Sequence, residues 1–237
     1  RPAGFGDQAP VSRLRTGASP PFGAAGALSR NQKNAPLTRR VAPAPAADAA
    51  TPPLGRRFSR YLAVLLLFSL GNSTDAFLLL RLSEVGVGAV WIPIAWAALH
   101  VVKAIVSPIG GLLSDRLGRR GVIVSGWLVY AAVYGGFAFA EGAATLVPVF
   151  LVYGVYYGLT EGVEKAVIAD LAPAGRRGAA FGAYHAVLGF GALAASLVFA
   201  GIWKAAGAPA AFAFGAVLAL ISAALLSRLD LAPSAGH

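Results

Sequence analysis

The chain has 237 residues, 57% of them hydrophobic and only 13% charged, with a mean hydropathy of +0.67. A soluble domain carries about 25% charged residues, so there is too little charge here to cover a water-exposed enzyme of this size. The formal net charge of +10 is unevenly placed, with 10 basic and 2 acidic residues in 1–60 against 10 and 8 in 61–237; basic residues in such an arm do not form the folded basic face of a nucleic-acid-binding domain.

Residues 1–57 form the first region, rich in Ala, Pro, Gly, Ser and Arg and without sustained apolar period. Runs such as Ala42-Pro43-Ala44-Pro45 and Thr51-Pro52-Pro53 neither propagate a helix nor bury enough apolar area to offset chain entropy. The region reads as a disordered cytoplasmic tail or loop; its Arg-rich, acid-poor make-up also suits an organelle transit peptide, a weaker reading. From Tyr61 the character changes. Apolar runs occupy about 61–82, 88–113, 121–140, 146–169, 179–203 and 209–227, each near the ~20 residues that cross a ~30 Å hydrocarbon core at about 1.5 Å per residue. Turn chemistry separates them: Gly86-Val87-Gly88, Gly118 to Gly121, Glu141-Gly142, Pro173-Ala174-Gly175 and Gly207-Ala208-Pro209. Six consecutive runs with such short connections speak against buried helices of a large soluble protein. The expected fold is all-α and integral to the membrane, with six transmembrane helices.

Arginine and lysine set the expected orientation. Arg56, Arg57 and Arg60 precede the first run, Arg116, Arg119 and Arg120 follow the second, Arg176 and Arg177 follow the fourth, and Arg228 follows the sixth. The other side has Arg81 and Lys204, beside Glu84 and Glu141. Positive residues favour the cytoplasm, which places both ends there. Small residues mark close helix approaches: Gly154, Gly158 and Gly162 at intervals of four in the fourth run, and Gly191 with Ala195 in the fifth.

Ionisable residues inside the runs are more informative, since each costs at least about 2.5 kcal/mol in lipid. Lys103 lies 12 residues before Asp115 and Glu161 lies 9 before Asp170, which puts both ~13–18 Å from the cytoplasmic end. Asp75 is nearer the outer end; His100 is one turn from Lys103; Glu164 and Lys165 sit closer to the cytoplasm, with Lys165 one turn from Glu161. Two accounts fit. Either Lys103, Glu161, Glu164 and Lys165 pair as structural glue, or they and Asp75 and His100 line a watery cavity that binds a solute or passes a proton. Tyr130, Tyr134, Tyr153, Tyr156 and Tyr157 are placed to line the same space or to pack, and His185 lies on the fifth run.

The most specific stretch is Gly111-Leu112-Leu113-Ser114-Asp115-Arg116-Leu117-Gly118-Arg119-Arg120. Gly111 lets the second helix end against a neighbour, Gly118 permits the reversal of a helical hairpin, Asp115 suits a helix N-terminus, and the arginines suit acidic groups or lipid phosphates. This stretch resembles, at every position, the signature loop of the major facilitator superfamily of secondary transporters. Pro173 to Gly182, which includes Arg177 and Gly178, resembles the Pro-x-x-x-Arg-Gly-x-x-x-Gly segment leading into a fifth helix. Gly71 to Phe77 and Thr160 to Ala166 look like the seventh and tenth helices of bacterial members. The resemblance covers 58–237.

It implies half of a twelve-helix fold, built as a 3+3 inverted repeat: the C-terminal half, preceded by a tail in the place of the loop joining the halves. The absence of Met and the opening at Arg1 fit a fragment. Also implied are alternating access for a small solute, coupled to a proton or ion gradient, in a bacterial inner membrane, with a missing N-terminal half or a second copy of the chain as partner. Gly111, Asp115, Arg116, Gly118, Arg119, Arg120, Arg177 and Gly178 would form the gate, with Lys103, Glu161, Asp75, Glu164, Lys165 and His100 as the solute or proton pathway. The mixed charges suit a sugar, an organic ion, an amino acid, a metabolite or a drug. A second class of function is a non-transporting membrane scaffold on a degenerate half. An enzyme is disfavoured: with no Cys there is no thiolate site, and no metal-ligand cluster, Ser-His pair or phosphate loop appears, so neither cofactor nor metal nor nucleic acid is expected.

Overall fold

The computed structural model describes residues 53–231 except 174. The expected tail lies outside the described residues except at its end, where helix α1 (Arg56–Gly71) begins slightly earlier than expected. Gly55 caps it, its carbonyl accepting from the Ser59 N–H at 3.1 Å. Then follow α2 (Ala76–Glu84), α3 (Trp91–Leu117), α4 (Arg119–Phe139), α5 (Ala143–Leu171) and α6 (Arg177–Ser227), with no strand among the described residues. Five helical spans are long and apolar enough to cross a membrane, α1 and α2 together making the first.

Three of the six expected runs differ in form. The first is not one helix over 61–82: the chain leaves helical geometry between Gly71 and Ala76. Gly71-Asn72-Ser73-Thr74-Asp75 explains this, because Gly disfavours helix by about 1 kcal/mol and Asn, Ser and Asp side chains compete for the backbone. Freed backbone groups in a membrane need partners, and side chains of other helices supply them. Tyr130 Oη donates to the Gly71 carbonyl at 2.9 Å, and the Thr74 N–H donates to Ser196 Oγ at 3.3 Å.

The last two runs, 179–203 and 209–227, are joined in the 51-residue α6 rather than separate. Gly207 nevertheless adopts φ 85°, ψ 170° inside it, a conformation that no helix contains and that favours glycine. Phe199 and Phe212 would stand ~20 Å apart along a straight helix, yet their ring centroids are 5.1 Å apart, and Trp203 approaches Phe212 at 5.6 Å. The chain therefore folds back at Gly207. The other positive-φ glycines among the described residues, Gly86, Gly118, Gly142 and Gly175, fall in the other four breaks legible in the sequence.

Lipid tails are as apolar as leucine, so packing and polar contacts, rather than water exclusion, hold such helices together. α4 is the most enclosed span and α3 the most exposed, with only Ala95, Leu99 and Gly110 buried in α3. Phe68 of α1 stacks on Trp127 of α4 at 4.3 Å, and Tyr130 stacks on Tyr134 at 4.1 Å. The α3–α5 contact is backbone-close: a Cβ on Gly154 would stand 2.7 Å from the Leu99 carbonyl, and one on Gly158 2.7 Å from Val106 Cβ. Gly162, expected to continue that stripe, faces open space, beside a groove lined by Gly111 and Ser114 of α3. Gly191 behaves as expected, with a Cβ there meeting Ser69 at 2.5 Å.

Candidate functional site

A cavity of about 430 Å³ opens between the broken α1–α2 span, α3, α5 and the first part of α6. Asp75, His100, Lys103, Glu161, Glu164 and Lys165, singled out as pathway candidates, all line it, as does His185. Four separate stretches of sequence meet there because the break in α1–α2 carries Asp75 to the cavity wall and the glycine contacts hold α3 against α5.

The charges are arranged in three groups. Asp75 is held by tyrosine hydroxyls: Tyr153 Oη donates to Oδ1 at 2.9 Å, and Tyr157 Oη donates to Oδ2 at 2.9 Å. Asn72, in the same break, donates from Nδ2 to Tyr156 Oη at 3.4 Å. The second group is an ion triad. Lys103 Nζ pairs with Glu161 Oε2 across the α3–α5 contact, while Lys165 Nζ holds Glu161 Oε1 at 2.9 Å from one turn further along α5. Lys103 Nζ also stands 5.1 Å from the centre of the Tyr157 ring, within cation–π range. Third, Glu164 is buried, 6% exposed, and forms no ion pair among the described residues. Trp127 Nε1 donates to its Oε1 at 3.2 Å and Tyr184 Oη to its Oε2 at 3.3 Å. His100 uses Nδ1 on the Trp96 carbonyl at 2.9 Å, which leaves Nε2 available.

Lys103, Glu161 and Lys165 thus pair with one another, whereas Glu164 is held by Trp127 and Tyr184. Asn72, Trp127 and Tyr184 contact Tyr156 or Glu164 at this site and were missed by sequence reasoning. The signal for Asn72 was a polar residue beside Gly71 inside an apolar run; Trp127 and Tyr184 gave none, since their roles depend on which helix faces Glu164.

The gate candidates lie apart from the cavity, around the α3–α4 turn. Gly118 (φ 78°) makes the turn. Arg119 pairs with Asp170 at the end of α5, and Arg120 Nη1 donates to the Leu229 carbonyl at 2.9 Å. Arg57 pairs with Asp230 at 2.9 Å, so both ends of the helical region are tied to one surface. Asp115 and Arg116 are exposed, and Asp115 has no side-chain partner among the described residues. Arg177 and Gly178 open α6 in exposed positions. Gly111 is corrected: it faces open space, and Gly110 is the residue against a neighbour, where a Cβ would stand 2.7 Å from the Gly158 carbonyl.

Residues 58–237 match the sequence model of the Major Facilitator Superfamily. The chain belongs to the Major Facilitator Superfamily. As a superfamily member it is an integral membrane protein of a transport family rather than an enzyme. It is 34% identical over 179 residues to an uncharacterized MFS-type transporter of Methanocaldococcus jannaschii, covering 73% of this chain and 45% of that protein. An uncharacterized MFS-type transporter of Bacillus subtilis is 30% identical over 140 residues, 59% of this chain and 35% of that protein. A quinolone resistance protein of Staphylococcus aureus is 25% identical over 134 residues, 56% of this chain and 34% of that protein. This superfamily member therefore spans less than half the length of the curated relatives it matches.

Proposed function

We propose that residues 58–237 are the C-terminal six-helix half of a twelve-helix secondary transporter, and that the cavity is this half's share of the solute site. In this reading α6 makes two crossings that reverse at Gly207, giving six crossings as a 3+3 inverted repeat with both ends cytoplasmic in a bacterial inner membrane. The missing partner is an N-terminal half, or a second copy of the chain. Residues Gly111 to Arg120, with Arg177 and Gly178, gate the cytoplasmic side as the halves rock; Asp115, exposed and unpartnered here, is available to the other half. Transport is coupled to a proton or ion gradient through the cavity charges.

The observation that carries this reading is the convergence of six deep ionisable residues from three helical spans on one cavity. Intramembrane charges of this kind mark solute and ion pathways. A volume of about 430 Å³ suits a drug-sized organic molecule, in keeping with the quinolone resistance relative. The test is reconstitution of the complete gene product in liposomes, with a pH-sensitive dye inside and a panel of organic solutes outside. A solute-dependent pH change is expected, and Lys103→Ala and Glu161→Ala should each reduce it at least tenfold. Unchanged responses in both variants would remove the cavity from the mechanism, and no response to any solute would favour the scaffold reading.

A further inference from the structure

Resting on the reading of this cavity as the solute site, we infer that it selects organic anions, whose carboxylate takes the place of Glu161 on Lys103. The argument starts from the unequal partners in the ion triad. Glu161 has two cations, one on each carboxylate oxygen, whereas Lys103 has one anion. Glu161 can release Lys103 and stay neutralised, because Lys165 sits one turn away on the same helix and does not depend on the α3–α5 contact. Lys103 has no second carboxylate in ion-pair contact, Asp75 acting on it only at longer range. Both oxygens of Asp75 are held by tyrosine hydroxyls, and Glu164 is buried under Trp127 and Tyr184.

An incoming carboxylate therefore exchanges one ion pair for another without leaving a bare charge. An incoming cation does not: it would take Glu161 and leave the Lys103 ammonium with no carboxylate in contact, only Asp75 at longer range, at a depth where that is costly. The pair is accessible for such an exchange, with the Lys103 and Glu161 side chains 31% and 40% exposed. The Tyr157 ring beneath Lys103 Nζ supplies a flat surface for the organic body next to the charge.

Opposite responses of the two ion-pair partners provide the test. The complete gene product in nanodiscs is titrated with three probes of one shape, benzoate, benzamide and benzylamine, and binding is read by the shift in melting temperature and by equilibrium dialysis. Benzoate is expected to bind in preference to the other two. Lys103→Gln should weaken benzoate binding roughly tenfold or more, the scale of one lost charge-assisted hydrogen bond. Glu161→Gln should strengthen it by a similar factor, because the resident competitor is gone. Lys103→Arg should retain binding, and its melting temperature without probe reports folding. If Lys103→Gln and Glu161→Gln weaken benzoate equally, the pair is structural and the inference is overturned. It is equally overturned if benzylamine is preferred, or if none of the three probes binds. These results leave the transport reading standing, since that reading falls only if the liposome responses survive Lys103→Ala and Glu161→Ala.

Discussion

Asp75 and Glu164 face the same difficulty, a carboxylate at membrane depth without a cation in contact, and both meet it with hydroxyl or indole donors. Two donors to each carboxylate spread the charge over fixed dipoles at the cavity wall. For Asp75 the donors are neighbours one turn apart on α5, so a single helix face holds a residue from a broken segment of another span. Tyr157→Phe combined with Asp75→Asn in a double-mutant cycle should show a coupling of about 0.5–3 kcal/mol in thermal stability, the range for residues in direct contact. A coupling near zero would mean that the tyrosine hydroxyl does not hold Asp75. Tyr184→Phe, which leaves a Glu164 oxygen without its donor, should destabilise by about 1–3 kcal/mol. Tyr184→Phe with wild-type melting behaviour would count against that contact.

Among the elements, the α3–α5 pair does most to shape the site, because Lys103 and Glu161 meet only if these two helices approach at backbone distance. Gly154 and Gly158 permit that approach, and Gly162 plays no part in it. Gly158→Val should therefore destabilise the protein by about 1–3 kcal/mol through overpacking, while Gly162→Ala should melt like the wild type. Equal effects at the two positions would show that α3 packs directly on α5 at Gly162 as well. The spacing of four was legible in the sequence, but where the stripe ends was not, since that depends on the crossing angle of two helices. The same division recurs elsewhere. Apolar runs, turn glycines and deep charges are local properties and could be read directly. The break at Asn72 to Asp75 had a local cause, but its stability rests on Tyr130 and Ser196, which arrive from distant parts of the chain. That Glu164 pairs with Trp127 and Tyr184 rather than with a lysine is likewise a fact of assembly.

At the scale of the whole molecule the reversal at Gly207 sets how α6 meets the membrane. A single straight helix of 51 residues would be ~76 Å long, more than twice the ~30 Å hydrocarbon core, with the Phe199–Phe212 and Trp203–Phe212 contacts impossible. In the proposed topology a reversal at Gly207 would put Lys204 outside and Arg228 inside, with Arg56, Arg119 and Arg177, in line with the bias of positive charge. Residues 1–237 contain no cysteine, so single-cysteine variants within them can be probed with a membrane-impermeant maleimide in intact cells, against the parent protein as the blank. Ser83→Cys, Glu141→Cys and Ala205→Cys should label from outside, and Ser59→Cys, Ser114→Cys, Ala172→Cys and Ser227→Cys only after the cells are opened. The decisive pair is Ala205→Cys with Ser227→Cys. In a single crossing by α6, position 205 would be shielded by lipid and position 227 labelled from outside, which reverses the expected pattern and would reduce the six crossings to five.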